Sequence, residues 1–258
     1  MKAIWARFSL AWNFLTIIPL PWSIHTHLPP ERLAASLGWY PFVGFVLGMM
    51  LVLSDRLLSA VLAQPLVNML LVVLLVVITG GLHQDGLADT IDGLAGGKNP
   101  AHRLTILRDS RIGAIGATGL ILALGLRYAG FVSLPPGGRE SLLFCMPALG
   151  RWSMVIGSWK VAYPRLEGGV AAPFLQHISF RDLCLATMII GIGLIGAINP
   201  LKAIVILLIV AVGIRLMVWG ASSLFGGITG DILGAMNEVT ELMFLIAASW
   251  LVTEMGFV

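Results

Sequence analysis

Residues 201–225 read LKAIVILLIVAVGIRLMVWGASSLF and carry only two charges, Lys202 and Arg215. An α-helix needs about 20 predominantly apolar residues to cross the hydrocarbon core of a bilayer, so this stretch predicts a membrane-spanning helix. Working outward, residues 36–53, 57–81, 112–134, 141–159, 183–198 and 239–257 predict six more spans. A shorter apolar run, residues 8–20, ends in Pro19, Leu20, Pro21 and Trp22. Lys2 and Arg7 give it the outline of a secretion signal, but no small-residue cleavage site follows, so an uncleaved interfacial or re-entrant segment is expected.

Composition agrees with a lipid-covered molecule. Of 258 residues, 58% are hydrophobic and 11% are charged, whereas soluble domains carry about 25% charged residues. The formal charge of +3 lies in a few loops, which reads as a topology signal and predicts no nucleic-acid partner. Cys145 and Cys184 form no CxxC pair and are expected as packing residues. The fold expected is an all-α, polytopic integral membrane bundle of about seven transmembrane helices plus the N-terminal segment. It forms a single domain over residues 1–258, with residues 82–111 as a cytoplasmic catalytic loop.

Basic residues set the orientation. Lys98, Arg103, Arg108 and Arg111 fall in residues 82–111, and Lys160, Arg165 and Arg181 in residues 160–182. Cytoplasmic loops retain such residues. Both segments, the N-terminus and residues 226–238 are therefore expected inside, with residues 54–56, 135–140 and 199–200 outside. If residues 8–20 crossed with Lys2 and Arg7 inside, the basic loops would face outward. Glycines at 44 and 48, and at 113, 116 and 119, predict close helix packing.

Chemistry concentrates in Gly80-Gly81-Leu82-His83-Gln84-Asp85-Gly86-Leu87-Ala88-Asp89-Thr90-Ile91-Asp92-Gly93. On a helix, Asp85, Asp89 and Asp92 stack one turn apart on one face with nothing basic between them. Like charges so arranged call for a cation, and oxygen-only ligands suit magnesium, which in turn suits pyrophosphate. The plainer alternative is a solvated acidic helix end with Asp85 as a cap. His83 reads as a metal ligand, a proton carrier or a hydrogen-bonded structural residue.

Three further segments carry candidates. In Arg108-Asp109-Ser110-Arg111, the arginines can clamp phosphate oxygens and a helix start after Ser110 offers backbone N–H groups; equally, Asp109 or Ser110 could simply cap that helix. The turn at Gly226-Gly227-Ile228-Thr229-Gly230-Asp231 lets backbone approach a ligand, and Asn237, Glu238 and Glu241 follow it. Arg127, Arg151 and Arg215 lie inside predicted spans, where a charge must pair, snorkel or line a cavity. Arg151 is the best placed of these for a substrate contact.

With these residues in hand, the chain resembles the cobalamin synthase family, the adenosylcobinamide-GDP ribazoletransferases, nearly end to end. The resemblance rests on residues 80–93, 108–113, 227–235, the loop Tyr163-Pro164-Arg165-Leu166-Glu167-Gly168 and an opening segment at residues 14–21. Ile17 stands where that family often has arginine, and Gln84 where it usually has leucine. The resemblance implies an enzyme of the bacterial inner membrane, with its site facing the cytoplasm. It implies magnesium held by Asp85, Asp89 and Asp92. Its partners would be adenosylcobinamide-GDP and alpha-ribazole or its 5′-phosphate, whose 3′-hydroxyl displaces GMP. Arg108, Arg111 or Arg151 would hold phosphate oxygens, and Ser110, Arg165, Glu167, Thr229, Asp231 and Glu238 would contact substrate. Asp109, Asp231 or His83 would accept the proton.

Two other readings predict different features. A CDP-alcohol phosphotransferase making phospholipid also strings aspartates at helical spacing, but normally has arginine after the alanine where Asp89 follows Ala88 here. A transporter would spread its charges through the membrane and break helices at matching points of two repeats. No Asp-Asp pair marks a prenyltransferase, and no P-loop is present.

Overall fold

The computed structural model describes residues 2–20, 29–165 and 167–255. Pro21 and Trp22, Leu166 of the tyrosine-led loop, and the last two residues of the 239–257 stretch lie outside the described residues. The described chain forms α1 (Lys2–Leu15), α2 (Pro30–Ala34), a 3-10 turn (Leu37–Trp39), α3 (Tyr40–Ser59), α4 (Gln64–Ile78), α5 (Leu82–Gly96), α6 (Pro100–Ile106), α7 (Ala114–Val132), α8 (Arg139–Gly157), α9 (Ala172–His177), α10 (Phe180–Ala197), α11 (Pro200–Phe225) and α12 (Gly230–Met255). No strand occurs among the described residues.

Five of these are long and apolar enough to cross a bilayer: α3 with the short elements before it, α7, α10, α11 and α12. The molecule is a multi-pass helical membrane bundle. Along α11, Leu201, Ile204, Leu208, Val212, Leu216 and Trp219 are exposed. Their spacing of three and four makes one continuous apolar stripe for lipid. The two other expected spans are α4 and α8. At 15 residues, α4 rises about 23 Å, short of the roughly 30 Å hydrocarbon core; with α5, which leaves it at 89°, it forms a broken sixth candidate. The 19 residues of α8 are buried almost throughout from Leu142 to Gly157. A helix shielded by its neighbours needs no lipid-compatible surface, so α8 tolerates Arg151 and two serines, Ser141 and Ser153.

At the centre, α3 lies directly on α8. A side chain at Gly44 or Gly48 would collide with the α8 backbone at Ala148 or Phe144, which is the close packing the spacing predicts. The 14 residues of α1 are too few to cross. It packs Phe8 against Trp39 and Phe42, at the start of α3.

Several boundaries differ from expectation for identifiable reasons. Residues 54–56 are helical, because α3 continues to Ser59 while Asp55 and Arg56 find partners on α8. Arg139 donates to Asp55 (2.8 and 2.9 Å) and Arg56 to Glu140. Residues 82–111 form α5 and α6, not an open loop, and α12 begins at Gly230 where residues 226–238 were expected as a connector. Cys145 is buried and Cys184 exposed, and both are free thiols.

Candidate active site

The corner between α4 and α5 is built by Gly80 (φ 63°) and Gly81 (φ 69°). Two successive left-handed residues turn the chain sharply, and only glycine adopts that conformation without a Cβ penalty. α5 thereby leaves the direction of the spanning helices and lies against the first turns of α12 and α7. Gly86 makes this approach possible: a Cβ there would stand 2.6 Å from the Asp231 carbonyl oxygen.

The result is a face of carboxylates. Asp85 is exposed, and Asp89 and Asp231 are half-buried. Burial, then the charges of Asp85, Asp231 and Asp92, push the Asp89 carboxyl up to about 6, with Arg165 opposing. Arg165 donates to Asp231 Oδ2 at 2.7 Å. The Thr229 hydroxyl donates to the same oxygen (3.3 Å) and accepts from the Ile232 N–H, helping to start α12. No hydrogen bond reaches Asp231 Oδ1 among the described residues.

Asp92, one stripe-turn further, is held differently. Its Oδ2 accepts the Gly113 N–H (2.7 Å) and its Oδ1 the Gly116 N–H (2.8 Å). It thus caps the start of α7 and ties residues 108–113 to α5, the helix-terminus role weighed for Asp109 and Ser110. Asp109 instead accepts from Arg111, which pulls its carboxyl down to about 2. Arg111 and Ser110 are exposed. Arg108 donates to Glu167 at 3.0 Å, so the 163–168 loop reaches both α12, through Arg165, and the 108–113 segment, through Glu167. The Ile228 N–H to the Ala162 carbonyl (2.9 Å) fixes that loop beside the glycine turn.

The remaining candidates form a second cluster deeper in the bundle. Arg127 donates to Glu238 (2.9 Å) and Glu241 (2.7 Å), Arg151 donates to Glu241, and the Asn237 amide donates to both glutamates. All five side chains are buried. His83 Nδ1 lies 3.4 Å from Arg151. Glu238 and Arg151 therefore face each other's network and not the carboxylate face. Arg127, Asn237 and Glu241 belong to this network as much as the two residues singled out for substrate. Arg127 and Arg151, in the middle of two predicted spans, signal it; the pairing across 90 to 114 residues is invisible in the sequence.

A cavity of about 230 Å³ is lined by His83, Asp85 and Asp231 together with Phe14, Tyr40 and Phe174. Polar groups thus converge on an apolar, aromatic-walled space, the usual construction of a small-molecule site. Among the described residues, no three His, Cys, Asp or Glu side chains come close enough to form a ready-made metal cage. Magnesium normally takes one or two carboxylates and completes its octahedron with water and substrate phosphate. The hard-oxygen, under-neutralised pair of Asp85 and Asp89 fits that mode, whereas Asp92 already has a backbone partner on each oxygen.

With this geometry established, comparison with known proteins is direct. The family model described as cobalamin-5-phosphate synthase matches residues 7–249. A curated relative from Syntrophobacter fumaroxidans is 36% identical over 95% of this chain and 99% of its own. One from Geotalea daltonii is 35% identical over 93% and 95%, and one from Synechococcus elongatus 34% identical over 96% and 97%. All three are named adenosylcobinamide-GDP ribazoletransferase. No solved structure matches. A carboxylate-faced, aromatic-walled site in a helical membrane bundle, matched along nearly its whole length, places the chain in the cobalamin-5-phosphate synthase family.

Proposed function

We propose that this chain is an adenosylcobinamide-GDP ribazoletransferase that works at the cytoplasmic face of the cell membrane and depends on magnesium. In this reaction the 3′-hydroxyl of alpha-ribazole, or of its 5′-phosphate, attacks the phosphorus attached to cobinamide. The new P–O bond forms as the pyrophosphate P–O bond breaks, and GMP leaves with the bridging oxygen. The single observation that supports the site most is the gathering of Asp85, Asp89, Asp92 and Asp231 near one arginine, Arg165; burial first, and then these neighbouring charges, raise the Asp89 carboxyl.

Displacement at a pyrophosphate needs positioning and charge neutralisation more than covalent help. Asp85 and Asp89 would hold the magnesium, which supplies charge neutralisation across the pyrophosphate. Asp231 is held through Oδ2 by Arg165 and Thr229, leaving Oδ1 to orient the hydroxyl and take its proton. Asp109 is a poor base, since Arg111 keeps it ionised with little proton affinity. The aromatic wall of Phe14, Tyr40 and Phe174 offers the lower-ligand base of the acceptor a stacking surface. Arg108 and Arg111, both exposed, are free to turn toward phosphate at the cost of weak surface pairs.

The cytoplasmic orientation is supported by the bundle's ends. The basic segments 98–111 and 160–181 lie at the same end as the carboxylate face, joined by the Arg108–Glu167 and Arg165–Asp231 pairs. The Asp55–Arg139 and Arg56–Glu140 pairs close the other end. Positive residues are retained inside.

Detergent-purified protein is assayed with adenosylcobinamide-GDP, alpha-ribazole and magnesium. Formation of adenosylcobalamin and GMP that stops with chelator or with Asp89→Asn is the expected result. Product formation that persists undiminished in both controls would exclude the carboxylate face as the site.

A further inference from the structure

Among the described residues, Arg215 is the one arginine within a predicted span that the buried arginine–glutamate network does not use. Arg127 and Arg151 lie inside the bundle and pair with glutamates, whereas Arg215 is exposed on α11, facing the same side as Trp219. It sits ten residues before the end of that helix, about 15 Å along it. No ion pair reaches it among the described residues. A lipid-facing charge at that depth is costly unless it pairs or reaches a polar cavity.

The cavity is present. A groove of about 900 Å³ separates the second half of α11 from the chain leaving α8, and Arg215, Trp219 and Ser222 line one side while Trp159 and Lys160 line the other. Lys160 takes a left-handed backbone (φ 53°), a conformation unfavourable for a side chain of this type. Its ammonium lies 5.4 Å from the Trp159 ring centre. Lys160 has no carboxylate partner among the described residues. Two cations without counter-ions, 55 residues apart in sequence, thus converge on one open groove between two tryptophans. Tryptophan collects at the membrane–water boundary, where its ring meets lipid glycerol and headgroup.

We propose that this groove is a binding site for an anionic phospholipid, whose phosphate is held by Lys160 and Arg215 and whose glycerol region rests between Trp159 and Trp219. Charge complementarity selects the ligand: the groove offers two cations and no acid, so a zwitterionic lipid would bring an ammonium with nothing to meet it. The site is separate from the carboxylate face, and it stands whether or not the chain transfers the group proposed above.

The test titrates detergent-purified protein with phosphatidylglycerol and, separately, with phosphatidylcholine of the same acyl chains, and counts bound lipid by native mass spectrometry. Phosphatidylglycerol is expected to remain bound where phosphatidylcholine does not. The Lys160→Gln/Arg215→Gln double variant should weaken that binding by about tenfold or more, since each basic residue near a lipid surface contributes to attraction for anionic lipid. Arg181→Gln, which removes an exposed cation outside the groove, should leave it unchanged. If the double variant does not fold, the single Lys160→Gln exchange at an exposed position should give a smaller loss in the same direction. Equal retention of the two lipids overturns the proposal, as does wild-type binding in the folded double variant, or in Lys160→Gln where only that variant folds. Displacement of the lipid by millimolar inorganic phosphate would also overturn it, by making the groove a soluble-anion site.

Discussion

Two charged regions share α12 and are built on opposite principles. In its first turn, Asp231 joins Asp85, Asp89 and Asp92 near a single arginine, Arg165. Two to three turns deeper, Glu238 and Glu241 meet Arg127 and Arg151, two acids with two bases, all buried. The deep region is balanced and sealed; the shallow one is unbalanced and open to a cavity. A balanced cluster carries its own counter-charges and ties α7, α8 and α12 together. An unbalanced one is stable only because water and, on our reading, a cation complete it. The difference separates what builds this protein from what acts in it.

The largest expected effect breaks the balanced region. Glu241→Ala leaves two buried guanidiniums short of a partner, and breaking a buried pair of this kind costs about 3–5 kcal/mol. Unfolding by denaturing detergent in bicelles should show a loss of that size, with turnover lost alongside stability. Next is the unbalanced region, where the opposite dissociation is expected. Asp89→Asn should fold as well as the wild type yet lose about 10²–10³ in turnover, the scale of removing one preorganised charge-stabilising group.

A pH series sharpens the same contrast. With the Asp89 carboxyl raised to about 6, protons compete with a cation for it below that value. Turnover should therefore fall about tenfold per pH unit below about 6. Stability runs the other way. An acid whose folded value is raised above its unfolded value, near 4, carries no penalty below about 4 and a full penalty above about 6. Metal-free wild-type protein should therefore lose thermal stability between those limits, and Asp89→Asn should lack that slope. The smallest effect belongs to the exposed Arg108–Glu167 pair: Glu167→Gln should change stability by less than about 1 kcal/mol, measurable only as a slight shift in melting temperature.

The sequence made the lipid-facing half of this molecule legible, because lipid imposes one simple demand on every residue it touches. The stripe along α11 and the apolar lengths of α7 and α10 follow from that demand alone. The interior was less legible because its helices are covered by protein and need not be apolar. That is why the start of α12 reads as a loop: its polar residues Asp231 and Glu238 are paired with arginines. In the site, the helical spacing of Asp85 and Asp89 was readable from residue order. The diversion of Asp92 to Gly113 and Gly116 was not, since it depends on where α7 meets α5, and neither was the arrival of Asp231 opposite Gly86.

The central claim is that the unbalanced carboxylates hold the divalent cation together with the nucleotide-activated substrate. It is tested most directly by electron paramagnetic resonance titration of manganese into protein carrying adenosylcobinamide-GDP but no acceptor. Manganese bound by the wild type at pH 7.5, released on lowering the pH to 5, lost in Asp89→Asn and retained in Glu167→Gln is the predicted result. Manganese binding to Asp89→Asn equal to that of the wild type would contradict the account.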